Sequence, residues 1–107
     1  MGHDPWIRRF RREALPKIQA EFRPERIILF GSRVRGTAHE DSDIDVIIVS
    51  TFFQDISFLK RMALALRKIP FPKHVDYFCY TPGEFERIKT ESIVIMDALE
   101  SPLDLEI

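Results

Sequence analysis

The segment Asp43–Val49 (DIDVIIV) limits the possible folds more than any other part of the chain. After its opening residues the segment is apolar at every position, so a strand formed here has two apolar faces. Strands of this kind lie inside a sheet that is covered on both sides. Because helices are the usual covering layers, the segment predicts an α/β domain with a central sheet.

The remaining segments supply the other parts of such a domain. Strands are predicted at Arg26–Phe30 (RIILF), at Val75–Tyr80 (VDYFCY) and, as a short edge strand, at Leu103–Ile107. Helices are predicted at residues 5–22, with Asp4 as N-cap and a kink or break at Pro16, after Ser32 as far as Arg35, at Asp55–Lys68, from Thr81 to about Lys89, and at Ser92–Glu100. The side chains expected on the inner side of the Asp55–Lys68 helix are Ile56, Leu59, Met62, Ala63 and Leu66. The order predicts one small mixed β-sheet flanked by helices, in a single domain spanning residues 1–107.

Composition narrows the classes of function. A net charge of −1 gives no overall field that would attract nucleic acid or a membrane, so direct binding to either is not expected. No apolar run approaches the roughly 18 residues that span a bilayer. The lone Cys79 excludes a disulfide framework and a Cys-based zinc site, and it suits a cytoplasmic protein.

The charges are unevenly distributed along the chain. Residues 1–36 hold nine Lys or Arg and four Asp or Glu, a net of +5, whereas residues 82–107 hold two and seven, a net of −5. One interpretation is two oppositely charged, solvated surfaces. The other is a basic rim beside a phosphate site and an acidic segment that meets a basic partner.

A possible phosphate site follows the first predicted strand, where Gly31-Ser32 ends the run RIILF. Glycine allows a sharp turn and the close approach of a ligand, and backbone N–H groups at a helix start bind phosphate. The hydroxyl of Ser32 and the charges of Arg33 and Arg35 would add to such a site, and Ser42 is a further nucleotide-binding candidate. The alternative is an ordinary strand-to-helix turn; the spacing does not fit a P-loop.

Three acidic residues predict a metal site. Asp43 and Asp45 project from the same face of their strand because side chains alternate along it. Their repulsion would be relieved by a shared Mg²⁺ ion, although both could instead lie at a frayed strand end in solvent. Asp76 joins them if the second and third strands are neighbours, and three carboxylates can hold two ions about 3.5–4 Å apart. Lys73 and His74, beside Asp76, could tune that carboxylate or contact phosphate.

The stretch L-F-G-S-R-V-R-G-T-A-H-E-D-S-D-I-D-V resembles the signature of the DNA polymerase β-like nucleotidyltransferase superfamily. Its R-x-R-G-T-A and S-D-I-D-V parts most resemble the minimal nucleotidyltransferase branch. The resemblance implies a nucleotidyltransferase fold in which Gly31 and Ser32 contact the triphosphate of ATP. It also implies that Asp43 and Asp45 bind two Mg²⁺ ions, and that Asp76 is the third ligand and the base toward the attacking hydroxyl.

Minimal nucleotidyltransferases of this kind are commonly paired with a helical HEPN-domain protein, an RNase toxin. The resemblance therefore implies an antitoxin that transfers AMP from ATP to a tyrosine of its HEPN partner, in a homo- or hetero-oligomer. Two alternatives stay open at this point. One is an antitoxin that masks its partner by binding alone, and the other is nucleotidyl transfer to a small molecule or a nucleic acid.

Overall fold

A four-stranded sheet organises the protein in a computed structural model, which describes residues 4–105. The strands are β1 (Arg26–Phe30), β2 (Ile44–Val49), β3 (Val75–Tyr80) and β4 (Leu103–Leu105), and their order in the sheet is β3-β2-β1-β4. The helices are α1 (Pro5–Glu13), α2 (Leu15–Phe22), α3 (Ser32–Arg35), α4 (Phe58–Lys68), α5 (Pro82–Glu91) and α6 (Ile93–Ala98), with a 3-10 turn at Thr51–Phe53. The predicted mixed sheet flanked by helices is confirmed.

The sheet is mixed because β1 pairs antiparallel with both β2 and β4, whereas β2 and β3 run parallel. The central strand β2 is buried throughout except at Asp45, as its apolar run predicts. The predicted edge strand is also found, although its last two residues, 106 and 107, lie outside the described residues.

The predicted break in the first helix occurs at Ala14, two residues before Pro16. Proline has no amide hydrogen and its ring clashes with the preceding turn, so the helix restarts with Pro16 in its first turn. Asp4 caps α1 as predicted, and its Oδ1 accepts hydrogen bonds from the amides of Trp6 (2.8 Å) and Ile7 (3.2 Å).

The predicted inner side of the Asp55–Lys68 segment is confirmed in part: Ile56 and Met62 pack against the core, but Leu59, Ala63 and Leu66 are exposed. Leu59 is 90% exposed, whereas the buried positions of the helix are Arg61 and Ala65. The Arg61 guanidinium donates to the carbonyl of Cys79 (3.1 Å) and to both carboxylate oxygens of Glu84 (2.6 and 3.2 Å). These bonds satisfy a charge that would otherwise be costly to bury. The helix also begins three residues later than predicted, at Phe58.

Each face of the sheet has its own hydrophobic core. Helices α1, α2 and α4 cover the face that carries Ile27, Val46 and Tyr77. Helices α5 and α6 cover the other face, where Ile47, Tyr80 and their neighbours are buried. Within residues 4–105, no helix is both long and apolar enough to cross a membrane.

Candidate active site

Strand pairing brings two of the predicted acids side by side. Asp45 on β2 is directly opposite Asp76 on β3 in the parallel register, so their side chains share one face of the sheet. Asp43 lies one residue before β2 and is exposed. All three carboxylates therefore converge at the end of the sheet where β2 and β3 begin.

The Gly31 turn faces this cluster from β1. Phe30 pairs with Asp45 across the antiparallel ladder, so Gly31 directly follows the residue opposite the central acid. Gly31 has a φ of 85°, and a Cβ atom at this position would collide with Oδ2 of Asp45. Only glycine fits here without strain, because the backbone is left-handed and the carboxylate fills the space of a side chain.

The same turn starts the short helix α3. The carbonyl of Gly31 accepts hydrogen bonds from the amides of Val34 (3.1 Å) and Arg35 (3.0 Å). The amides of Ser32 and Arg33 precede that first hydrogen-bonded turn, and such groups are the ones a helix start offers to an anion. Half-buried Ser32 therefore lies at the start of α3 beside the carboxylates, where its predicted phosphate contact is geometrically possible.

The central carboxylate carries an electrostatic penalty. Burial, followed by the charges of Asp76 and Asp43, raises the pKa of Asp45 to about 6, while the charge of Arg35 opposes the shift. A divalent cation among the three acids would relieve this repulsion. The charges of these three acids are therefore close enough to act on one another, as a shared metal centre would require.

A histidine joins the carboxylates. Nε2 of His74 lies 2.9 Å from Oδ1 of Asp76. Asp43, His74 and Asp76 each offer a ligand atom, and these atoms all lie within 4.8 Å of one another. The closeness of His74 to Asp76 follows from their positions in the sequence. The closeness of His74 to Asp43 depends on the pairing of β2 with β3.

Arg33 does not face the carboxylates. Its buried guanidinium donates to the carbonyls of Ser42 (2.8 Å), His39 (3.0 Å) and Glu40 (2.9 Å), and to Oδ2 of Asp4 (2.9 Å). All three nitrogens are therefore engaged in holding the loop that leads to Asp43. Nucleotide binding by Arg33, expected from its place in the motif, has no support in this geometry, since the side chain points into the loop.

Ser42 and Lys73 also hold this loop. The hydroxyl of Ser42 accepts a hydrogen bond from the amide of His39 (2.9 Å), and Nζ of Lys73 donates to the carbonyl of Glu40 (3.0 Å). The Ser42 hydroxyl therefore stabilises the turn before Asp43. Of the predicted basic residues, Arg35 is the one that is exposed and acts electrostatically on Asp45.

Comparison with known proteins assigns the family. Residues 8–102 match the family described as nucleotidyltransferase domain. The chain belongs to this family. A provisionally assigned nucleotidyltransferase from Sulfolobus solfataricus has a similar crystal structure, with a TM-score of 0.60 and 26% sequence identity. The similarity covers 90% of this chain and 76% of that one. A search of curated proteins finds no match.

Nucleotidyltransferases generally use a nucleoside triphosphate and a divalent metal ion, and both requirements suit the observed site. The acids lie at one end of the sheet, and the Gly31 turn places helix amides beside them. The nucleotidyltransferase family and fold implied by the motif are therefore confirmed, and general nucleotidyl transfer is the activity that the family supports.

Proposed function

We propose that this nucleotidyltransferase moves AMP from ATP to a hydroxyl of a partner protein, with Mg²⁺ as the metal. The partner would be a helical HEPN-domain toxin in the cytoplasm, for which this chain is the antitoxin. The observation that carries the chemical part is the convergence of Asp43, Asp45 and Asp76 beside the Gly31–Ser32 turn.

The proposed reaction assigns a task to each group. When bound, two Mg²⁺ ions would neutralise charge on the triphosphate and on the attacking oxygen. The Ser32 hydroxyl and the first amides of α3 would orient the phosphates, and exposed Arg35 would add positive charge. The acceptor oxygen forms a bond to the α-phosphorus, the bond to the β-phosphate oxygen breaks, and pyrophosphate leaves. Asp76 takes the proton of the acceptor hydroxyl.

An exposed apolar surface beside Asp76 supports a protein acceptor. Phe78 follows two residues later on the same face of β3, about 7 Å along the strand. It lines a groove of about 310 Å³ together with Phe58 of α4 and Val94 of α6. Ile93, Val94 and Met96 are 84, 59 and 49% exposed. Clustered exposed apolar side chains often mark a protein-binding surface, and this one lies along β3, the strand that carries Asp76.

Isotope labelling tests the proposal. The tagged chain would be purified from its native cells with any bound protein and incubated with Mg²⁺ and ATP carrying a radiolabelled α-phosphate. We expect the label on the co-purified protein, and mass spectrometry should locate AMP on a hydroxyl side chain. ATP labelled on the γ-phosphate should leave no label, because that phosphate departs with pyrophosphate.

Two variants make the test specific. Asp76→Asn should abolish labelling, whereas Asp55→Asn, at an exposed position outside the carboxylate cluster, should not alter it. A bound partner that gains no label from wild-type protein would favour an antitoxin that acts by binding alone. Label that appears on a small molecule or a nucleic acid would overturn the protein acceptor while keeping nucleotidyl transfer.

A further inference from the structure

The backbone places His74 beside Asp43 and Asp76. Its carbonyl accepts a hydrogen bond from the amide of Ile44 (3.3 Å), which directly follows Asp43. Its own strand continues through Val75 to Asp76. The backbone therefore holds residue 74 near residues 43 and 76, so their side chains meet without a loop movement.

The distances between the three side chains suit one ion. Neighbouring ligands of an octahedral ion with bonds of about 2.1 Å lie roughly 3.0 Å apart, and opposite ligands about 4.2 Å apart. The separation of 2.9 Å between Nε2 of His74 and Oδ1 of Asp76 fits neighbouring ligands. The ligand atoms of all three residues lie within 4.8 Å of one another, a limit close to the opposite-ligand distance.

We propose that His74 is a direct ligand of one of the metal ions, together with Asp43 and Asp76. This inference rests on the metal dependence of the proposed function and adds a nitrogen ligand to the carboxylates. Imidazole suits transition-metal ions, whereas Mg²⁺ takes oxygen ligands. The site should therefore favour Co²⁺ over Mg²⁺ by more than a site built of carboxylates alone.

A simpler role for His74 is an exposed hydrogen bond to Asp76. The side chains of His74 and Asp76 are 51 and 35% exposed, and a pair of this kind contributes little on its own. The two roles differ in a measurable way. A ligand affects transition-metal ions more than Mg²⁺, whereas a residue that only orients Asp76 affects every ion alike.

Metal titration distinguishes these roles without relying on catalysis. Wild-type protein and the His74→Gln variant would be titrated with Co²⁺ and with Mg²⁺ by calorimetry, alone and with a non-hydrolysable ATP analogue. The visible absorption of bound Co²⁺ reports loss of a nitrogen ligand. We expect His74→Gln to weaken Co²⁺ binding about tenfold or more, to change Mg²⁺ binding by less than about threefold, and to alter the Co²⁺ spectrum.

Matched variants complete the design. His39→Gln removes a histidine on the exposed loop before Asp43 and should leave both affinities and the spectrum unchanged. Asp76→Asn should weaken both ions and reports on the metal site itself. Equal weakening of Co²⁺ and Mg²⁺ by His74→Gln, or an unchanged Co²⁺ spectrum, would overturn the ligand role. If wild-type protein binds neither ion, the metal dependence of the proposed function fails as well.

Discussion

Gly31 and Asp45 lie so close across the β1–β2 pair that any side chain at position 31 would collide with the Asp45 carboxylate. We expect Gly31→Ala to displace that carboxylate and to strain a backbone with a φ of 85°. Nucleotidyl transfer should fall at least about a hundredfold, because a misplacement of about 1 Å can cost that much. Steady-state kinetics with the cognate acceptor would measure the effect.

Gly36 provides the matched control. Its φ is 81°, but a Cβ atom there would meet nothing within 4 Å. Gly36→Ala should therefore lower the free energy of unfolding by about 1–2 kcal/mol through backbone strain, with little change in transfer. Equal loss of activity in both variants would show that strain, and not the contact with Asp45, explains the requirement for glycine.

The raised pKa of Asp45 predicts a pH-dependent stability. Because the folded protein holds this proton up to about pH 6 and the ordinary pKa is 3.8, stability falls as the pH rises between these values. Asp45→Asn removes that loss. In EDTA above pH 7 we expect the free energy of unfolding of the variant to be roughly 1–2 kcal/mol higher than that of wild type. This figure already allows for the partial exposure of Asp45, which weakens the electrostatic effect.

Urea unfolding at about pH 4 and pH 7.5 would test this expectation. The difference between Asp45→Asn and wild type should shrink at the lower pH, where the carboxyl is protonated in the folded chain and partly protonated in the unfolded chain. Asp55→Asn should show no such pH-dependent gain. A gain for Asp45→Asn that is independent of pH would mean that packing, and not charge, limits stability at this position.

Two arginines of the motif should differ in their effects. Arg33 anchors the loop before Asp43, so Arg33→Lys should lower the free energy of unfolding by about 2 kcal/mol or more because lysine cannot form all of its bonds. Exposed Arg35 acts on the charge of the site, so Arg35→Ala should weaken ATP binding with little effect on stability. Thermal unfolding and calorimetric ATP titration measure both. The reverse pattern would restore Arg33 as a nucleotide ligand.

ATP binding should depend on a divalent ion. Asp43, Asp45 and Asp76 would repel a bare triphosphate, and the repulsion is stronger at the half-buried Asp45 than in water. Calorimetry should therefore show much weaker ATP binding in EDTA than in Mg²⁺. The triple Asn variant provides the control, since it should lose this dependence on metal. Equal wild-type affinity in both conditions would contradict a metal-bridged nucleotide site.

The strands and the acids were predictable from local sequence. The bounds of β1 and β3 agree with their apolar runs, because an alternating or continuous apolar pattern largely determines a strand. The pairing of Asp45 with Asp76 was predicted only on condition that β2 and β3 are neighbours. That condition depends on the path of the chain through α4, which no local pattern encodes.

The roles of the buried arginines were not predictable. Arg33 pairs with Asp4, 29 residues away, and Arg61 pairs with Glu84, 23 residues away. A long charged side chain in a motif indicates charge near the site but not the direction in which it points. The same limit applies to the burial of Arg61 on α4, since the partners that allow it to be buried belong to β3 and α5.

The apolar groove beside Asp76 predicts a variant that separates acceptor binding from nucleotide binding. Val94 lines this groove and is 59% exposed, so Val94→Glu should not disturb the core. A charge there would be costly to bury against an apolar partner, and we expect the KM for the acceptor protein to rise about tenfold or more. Calorimetry should show unchanged MgATP binding.

Leu59→Glu is the control, because Leu59 is 90% exposed on α4 outside this groove. If both variants leave acceptor kinetics unchanged, the acceptor docks elsewhere; if Val94→Glu weakens MgATP binding, the groove belongs to the nucleotide half of the site.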